Sequence, residues 1–301
     1  MKIIIDENFE NQRIDSFLAE MSPGVSRSKI QAAIKDSKVF VNGKTIKSSY
    51  LLKEDDIVEF EKPQYNSGTK PLPEPIPINI VWEDENMAVI NKPSGILTHP
   101  TTQELSGTLV NAILNLYGNN LSDLNGEMRR GIVHRLDRNT SGLIMIAKNN
   151  KTHEFLVKEM KEKHFCKKYI AIVKGVIEQD NFEIDKPIGR HLSQPHKQCI
   201  RDDGKDSLTI VKVIERLKDA TLVELTLITG RTHQIRVHMS SIGHPVYNDT
   251  LYGFGKMKIK TEEQVLQSYK LDFTKPFSNE RISLEIPFDE KVTKVLNSLK
   301  L

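Results

Sequence analysis

From Lys62 to Pro77 the chain reads KPQYNSGTKPLPEPIP, and five of its thirteen prolines fall there. Proline lacks an amide hydrogen and has a locked φ, so this stretch cannot form an ordinary helix or a central strand. It is read as an extended, semi-rigid spacer. The chain is thereby divided into residues 1–62, a linker at 63–77 and a larger domain at 78–301. A chain of 301 residues is long enough for two hydrophobic cores.

In the first segment Ile14, Phe17, Leu18 and Met21 recur at helical spacing. Ser26 is placed to cap a second helix, Arg27 to Asp36, with Ile30, Ala33 and Ile34 on one face. Asn42-Gly43 between Val39-Phe40-Val41 and Lys44-Thr45-Ile46 is a strong hairpin signal. Ile57 to Phe60 reads as a further strand. Between Ser26 and Lys47 stand six bases (Arg27, Lys29, Lys35, Lys38, Lys44, Lys47) and one acid, Asp36. Read alone, that is either a solvated face or a surface that follows a phosphate backbone.

In the larger segment, strands are expected at Ile78–Trp82, Met87–Ile90, Leu143–Ala147, Lys167–Val173, Ser207–Leu217, Leu222–Ile228, Leu271–Phe273 and Ile282–Ile286. Helices are expected at Thr108–Tyr117, Lys151–Lys163, His233–Ile242 (capped by Thr232) and Val292–Leu301. Asp185 to Gly204 is polar and mixes Gly189, Arg190, His191, His196, Lys197 and Arg201; it is read as an irregular loop. With no regular strand–helix alternation, the fold class is α+β, with a mostly antiparallel, mixed-order sheet and flanking helices. The first segment adds a small α/β module.

The chemistry concentrates in Gly131–Asn149, GIVHRLDRNTSGLIMIAKN. His134, Arg135, Asp137 and Arg138 sit between two apolar runs, and Asn139-Thr140-Ser141-Gly142 favours a tight bend. One carboxylate, Asp137, therefore lies on a loop anchored in a core and flanked by positive charge. Taken alone this is a salt-bridged surface loop as readily as a site. The same holds for three other places: Asn91-Lys92-Pro93-Ser94-Gly95 as a plain turn, Tyr169 as a half-buried strand tyrosine, and Arg231 as a structural arginine before a helix.

Four strings taken together resemble one family. H-R-L-D-x-x-T-S-G-L, N-K-P-x-G, K-x-Y-x-A and G-R-T-H-Q-I-R-V-H occur here around Asp137, Lys92, Tyr169 and Arg231. They are similar to the signatures of the pseudouridine synthases that act on structured RNA, in the branch that includes large-subunit ribosomal RNA enzymes. Residues 12–60, with V-x-V-N-G-K in the hairpin, resemble an S4-type RNA-binding domain. The resemblance implies Asp137 as the catalytic aspartate, Tyr169 as the active-site tyrosine and Arg231 as the arginine that pairs with the aspartate. It also implies RNA contact by Arg135, His134, Arg138 and Lys92, and by Arg27, Lys29 and Lys44 of the small module. Arg135 resembles the residue that fills the space left by the extruded base. Two departures stand out: Arg138 replaces a common lysine, and His244–Thr250 differs from a version richer in glycine and proline.

The rest of the chain bounds this reading. A net charge of +3 gives no strongly basic tail, so any RNA surface must come from local clustering. Cys166 and Cys199 provide neither a disulfide framework nor zinc spacing, which points to a reducing cytoplasm. No membrane span or signal peptide is evident, and there is no phosphate loop, dinucleotide fingerprint or metal cluster. The expected reaction needs no cofactor and no metal. Its partner is RNA: ribosomal RNA first, transfer RNA second. A non-catalytic ribosome-assembly protein is the rival reading. A glycoside hydrolase is a third, disfavoured because no second carboxylate pairs with Asp137.

Overall fold

The structure is a computed structural model that describes residues 2–5, 9, 12–22, 25, 27–60, 70–101, 104–194, 196–254 and 257–300. The chain forms two compact units, residues 1–70 with 124–127, and residues 71–123 with 128–301. The division at 70/71 falls inside the proline-rich stretch. The expected Ser26 cap and residues 61–69 of the expected spacer lie outside the described residues.

The small unit carries β1 (Lys2–Ile4), α1 (Ile14–Glu20), α2 (Arg27–Lys35), β2 (Val39–Val41), β3 (Lys44–Thr45) and β4 (Ile57–Phe60). Its sheet runs β1-β4-β2-β3 and is antiparallel throughout. The helices bury Ile14, Phe17, Leu18, Ile30, Ala33 and Ile34 against Val39, Val41, Val58 and Phe60. Asn42 and Gly43 both have positive φ, 51° and 73°, as a two-residue hairpin turn requires. Asp15 is fully buried and accepts bonds from Arg13, Arg27 and Gln31. Burial alone would raise its pKa, but those donors hold it well below the usual carboxylate range.

The larger unit is built on a nine-stranded sheet. Its strands are β5 (Asn79–Glu83), β6 (Met87–Lys92), β7 (Ser141–Ala147), β8 (Cys166–Lys174), β9 (Asn181–Asp185), β12 (Leu208–Arg216), β13 (Ala220–Leu227), β14 (Leu266–Thr274) and β15 (Arg281–Glu285). The order is β5-β6-β7-β14-β8-β13-β12-β9, with β15 also on β14. Pairing is antiparallel except between β14 and β7. A separate antiparallel pair, β10 (Ile188–Arg190) and β11 (Gln198–Ile200), occupies the segment read from sequence as an irregular loop. The loop expectation is corrected there: the strands are only three residues long, too short to leave an alternating pattern.

The helices are α3 (Leu109–Tyr117), α4 (Asn150–Lys161), α5 (Gln234–Ser241) and α6 (Glu290–Leu299). Alternate residues of the central strands point to opposite faces, which makes two cores. Ile90, Ile144, Ile146, Tyr169, Ala171 and Val223 pack with α3 and with Ile235 and Met239 of α5. Val89, Leu143, Met145, Ile170, Ile172 and Leu271 pack with Leu156 of α4 and with α6. β7 is therefore buried on both sides, and all seven of its residues are covered. Thr108 caps α3 with a capping box involving Asn111. Thr232, however, does not cap α5; the cap position belongs to His233, in the left-handed region at φ 57°. No helix among the described residues is long and apolar enough to cross a membrane.

Gly142, Ser268 and Tyr169 lie side by side across β7, β14 and β8. Gly142 has φ 114°, and a Cβ there would come within 2.1 Å of the Ser268 carbonyl oxygen. That close crossing sets the distance between the Asp137 loop and the strand bearing Tyr169. Gly142→Ala is expected to destabilise the protein by about 3 kcal/mol or more, from strain plus overlap with backbone. Chemical denaturation checks this; a midpoint equal to wild type would mean the crossing is not tight.

Candidate active site

Asp137 sits on the loop just before β7, and the carbonyls of residues 136–139 all accept hydrogen bonds. Thr98 Oγ1 accepts from the Leu136 amide at 3.2 Å and donates to the Leu136 carbonyl at 2.8 Å. The Thr140 amide donates to the Asp137 carbonyl at 3.1 Å, and Gln264 donates to Thr140 Oγ1 at 2.9 Å. Lys92 Nζ donates to the carbonyls of Pro93 (2.8 Å), Ile96 (3.0 Å) and Arg138 (3.1 Å). Lys291 of α6 donates to the next carbonyl, that of Asn139, at 3.2 Å. Two lysines from distant elements thus hold successive peptide groups of the loop.

The sequence places Lys92 on the RNA; the structure does not. Its side chain is 0 % exposed and acts as an internal clamp. Burial brings its pKa down to about 7, helped by nearby Lys291 and opposed by Asp137. Three carbonyl acceptors also favour the ammonium form. His134 lines the pocket, partly exposed, with one ring nitrogen bonded internally. Its Nε2 accepts the Met145 amide at 3.1 Å, and burial pushes its pKa well below the usual histidine value, so it is neutral and internally bonded. Arg138 turns to Glu104 (Nη1 to Oε1, 3.1 Å) and to the Gly95 carbonyl. Arg135 is exposed at the mouth of the pocket with no ion pair among the described residues.

Asp137 is partnered by an arginine, but not the expected one. Arg236 Nη1 lies 3.1 Å from Asp137 Oδ2. The same guanidinium makes a two-pronged contact with Asp249, Nε to Oδ2 at 2.7 Å and Nη2 to Oδ1 at 3.0 Å. Arg231 is exposed and donates to the Asp206 carbonyl instead, at 3.0 Å. The reason is helical geometry. Arg231 precedes the turn into α5, whereas Arg236 lies within the helix on its inward side, between Ile235 and Val237. Asp249, its side chain fully buried, is held below the ordinary aspartate range by Arg236 and the Leu251 and Tyr252 amides, although burial acts against this. Asp249 belongs to the stretch noted as a departure, and its link to α5 carried no local signal in sequence. Arg236 did carry one: an arginine among the apolar residues of an inward helix face needs a carboxylate.

These groups line a pocket of about 540 Å³, with Asp137, Tyr169, His233 and Arg236 on its wall and Arg135, Lys163 and Arg231 around it. That volume suits a single extruded nucleoside. Asp137 keeps 17 % of its side-chain surface exposed, so the carboxylate can be reached from the pocket. Tyr169 is 5 % exposed. Burial raises its pKa, a neighbouring Ser268 hydroxyl opposes that, and Asp137 adds to it; the phenol stays neutral. In the small unit Arg27, Lys29 and Lys44 are all exposed, Arg27 while paired with Asp15 at 2.8 Å.

Five histidines, 99, 134, 153, 233 and 238, have pKa values lowered first by burial, His99 to about 4. Below about 6.5 the unfolded chain takes up protons that the folded one does not. Stability present at neutral pH is therefore lost as pH falls from about 6.5 toward 4. The denaturation midpoint is expected to be lower at about pH 5 than at about pH 7.5; equal midpoints would show that these rings are not held neutral.

Comparison with known proteins gives a consistent result. Residues 86–241 match the family described as RNA pseudouridylate synthase, and residues 12–58 match the S4 domain. The chain is 41% identical over 298 residues to the "Uncharacterized RNA pseudouridine synthase YlyB" of Bacillus subtilis, covering 99% of this chain and 97% of that protein. It is 33% identical over 310 residues to the "Ribosomal large subunit pseudouridine synthase D" of Xanthomonas campestris, covering 99% and 92%. The solved structure of human RNA Pseudouridylate Synthase Domain Containing 1 aligns with a TM-score of 0.59 at 26% identity, over 72% of this chain and 86% of that one.

Proposed function

The chain belongs to the RNA pseudouridylate synthase family and is an RNA pseudouridine synthase; from that premise we propose that it isomerises specific uridines of structured large-subunit ribosomal RNA, with Asp137 as the catalytic carboxylate. The observation that carries the site is the Asp137–Arg236 pair on the wall of a nucleoside-sized pocket, beside Tyr169. The choice of RNA is supported by relatives whose names specify the large ribosomal subunit.

The reaction breaks the C1′–N1 bond, turns the uracil, joins C5 to C1′ and releases the C5 hydrogen as a proton while N1 takes one up, so the base is isomerised with no net gain or loss of atoms. Asp137 starts it, either by attacking C1′ or by taking the C2′ proton. Both routes need an aimed carboxylate, and Arg236 supplies the aim through a planar contact. A uridine in folded RNA must first leave its stack, at a cost of a few kcal/mol. Arg135, exposed at the mouth and without an ion pair among the described residues, is suited to fill the vacated space. Tyr169, on the pocket wall, is suited to stack against the uracil and to help remove the C5 proton late in the cycle. In the S4 domain, Lys29, Lys44 and Arg27 reach phosphates. The test is a pseudouridine map of ribosomal and transfer RNA from cells with and without the protein. Loss of defined large-subunit positions supports the proposal. Loss confined to transfer RNA overturns the substrate, and no change overturns the function.

A further inference from the structure

A second side chain faces the Asp137 oxygen held by Arg236. His233 Nε2 stands 3.9 Å from Asp137 Oδ2. Its ring is not free to choose how it presents itself. His233 Nδ1 lies 2.7 Å from the Tyr252 hydroxyl, and the two rings meet edge to face with centroids 5.5 Å apart. The Tyr252 oxygen also receives the Gln198 backbone amide of β11 at 2.8 Å. Tyr252 is itself fixed: its ring lies under the Arg236 guanidinium, 5.0 Å from the centroid, and its amide donates to Asp249. Tyr252 is thus held both by the Arg236–Asp249 pair and by the β10–β11 hairpin.

The proton positions follow from counting donors. A neutral imidazole has one donor and one acceptor nitrogen. The Tyr252 hydroxyl has one hydrogen, and among the described residues the only acceptor within hydrogen-bonding distance is His233 Nδ1. With that hydrogen on the shared contact, Nδ1 is the acceptor and the ring's own hydrogen is on Nε2. The opposite arrangement would aim an imidazole lone pair at a carboxylate oxygen. His233 also occupies the left-handed region at φ 57°, uncommon for a residue other than glycine and retained where surroundings enforce it.

We propose that Tyr252, seated by the Gln198 amide, locks His233 in the Nε2–H form, and that His233 is a positioning residue giving Asp137 Oδ2 a second donor beside Arg236. The inference rests on Asp137 being the catalytic carboxylate. A gap of 3.9 Å is longer than a hydrogen bond, and such contacts tighten when substrate fills the site. Burial keeps the imidazole neutral, so the ring offers a donor without adding a second full charge. The β10–β11 hairpin thereby acquires a function: it holds the hydroxyl that holds the ring.

The experiment uses the full chain with ¹⁵N-labelled histidine. Long-range proton–nitrogen correlation is expected to show His233 Nε2 as the protonated nitrogen and Nδ1 as a hydrogen-bonded acceptor. In Tyr252→Phe that single form is lost, and single-turnover isomerisation falls about tenfold while KM stays within about twofold. His233→Gln places an amide donor where Nε2 stands and keeps most of the rate. His233→Asn places its donor where Nδ1 stands and loses as much as Tyr252→Phe. A wild-type ring protonated on Nδ1 overturns the proposal, as does a Tyr252→Phe variant with unchanged rate, or equal rates for the Gln and Asn variants. The tautomer is read without RNA, so its failure is distinct from that of the proposed function, which falls if the wild-type chain isomerises no RNA.

Discussion

Asp137→Asn is expected to lower isomerisation by at least about a thousandfold, the scale seen when a nucleophile or base is removed from a preorganised site. The substitution is nearly isosteric, and Arg236 keeps its two-pronged contact with Asp249, so the fold should persist. RNA affinity should change only a few-fold, because phosphate contacts supply most of it. Tritium release from RNA carrying C5-labelled uridine measures the first quantity, and equilibrium binding at fixed salt the second. Wild-type release would remove Asp137 from the chemistry. A loss of binding equal to the loss of rate would mean that the carboxylate grips RNA instead of acting on it.

The second large effect separates the two arginines of one motif. Arg236→Met leaves Asp249, 0 % exposed, without its charged partner. Removing one member of a buried pair costs about 3–5 kcal/mol. It also leaves Asp137 without its closest donor, so activity should fall steeply even in molecules that fold. Arg231→Met removes an exposed side chain with one bond to a carbonyl, and should change stability by less than about 0.5 kcal/mol. The pH dependence adds a check. In Arg236→Met the orphaned Asp249 has its folded-state pKa raised above the unfolded one. Its penalty is then full at neutral pH and shrinks as pH falls toward the ordinary aspartate value, about 4. If both variants unfold at the same denaturant concentration, the buried pair does not support the fold as the geometry indicates.

The expected site was legible only from four strings taken together. Singly, the polar loop of Asp137 fits a salt-bridged surface loop and Tyr169 a half-buried strand tyrosine; it is the resemblance to one family that singles them out. The β7 strand was legible from its unbroken hydrophobic run. The errors share a different origin. Lys92 looks like a solvated lysine until β6, the 93–96 turn and the Asp137 loop are brought together around it. Asp249 has no motif of its own, and only the approach of α5 to the 249–252 turn gives it a role.

The sequence by itself determined the α+β class and most strands and helices, and marked the proline-rich division of the chain, since each of these is encoded by short-range spacing, turn chemistry or a contiguous string. Tertiary structure alone decided which arginine faces that acid, which bases point inward as clamps, and which hydroxyl sets the proton on His233. Those outcomes depend on contacts between residues far apart in the chain, 99 positions for Asp137 and Arg236, 46 for Lys92 and Arg138 and 19 for His233 and Tyr252, and on the direction a side chain takes from its helix or turn. Chain neighbours do not encode such meetings; the packing of β7, β8 and α5 does.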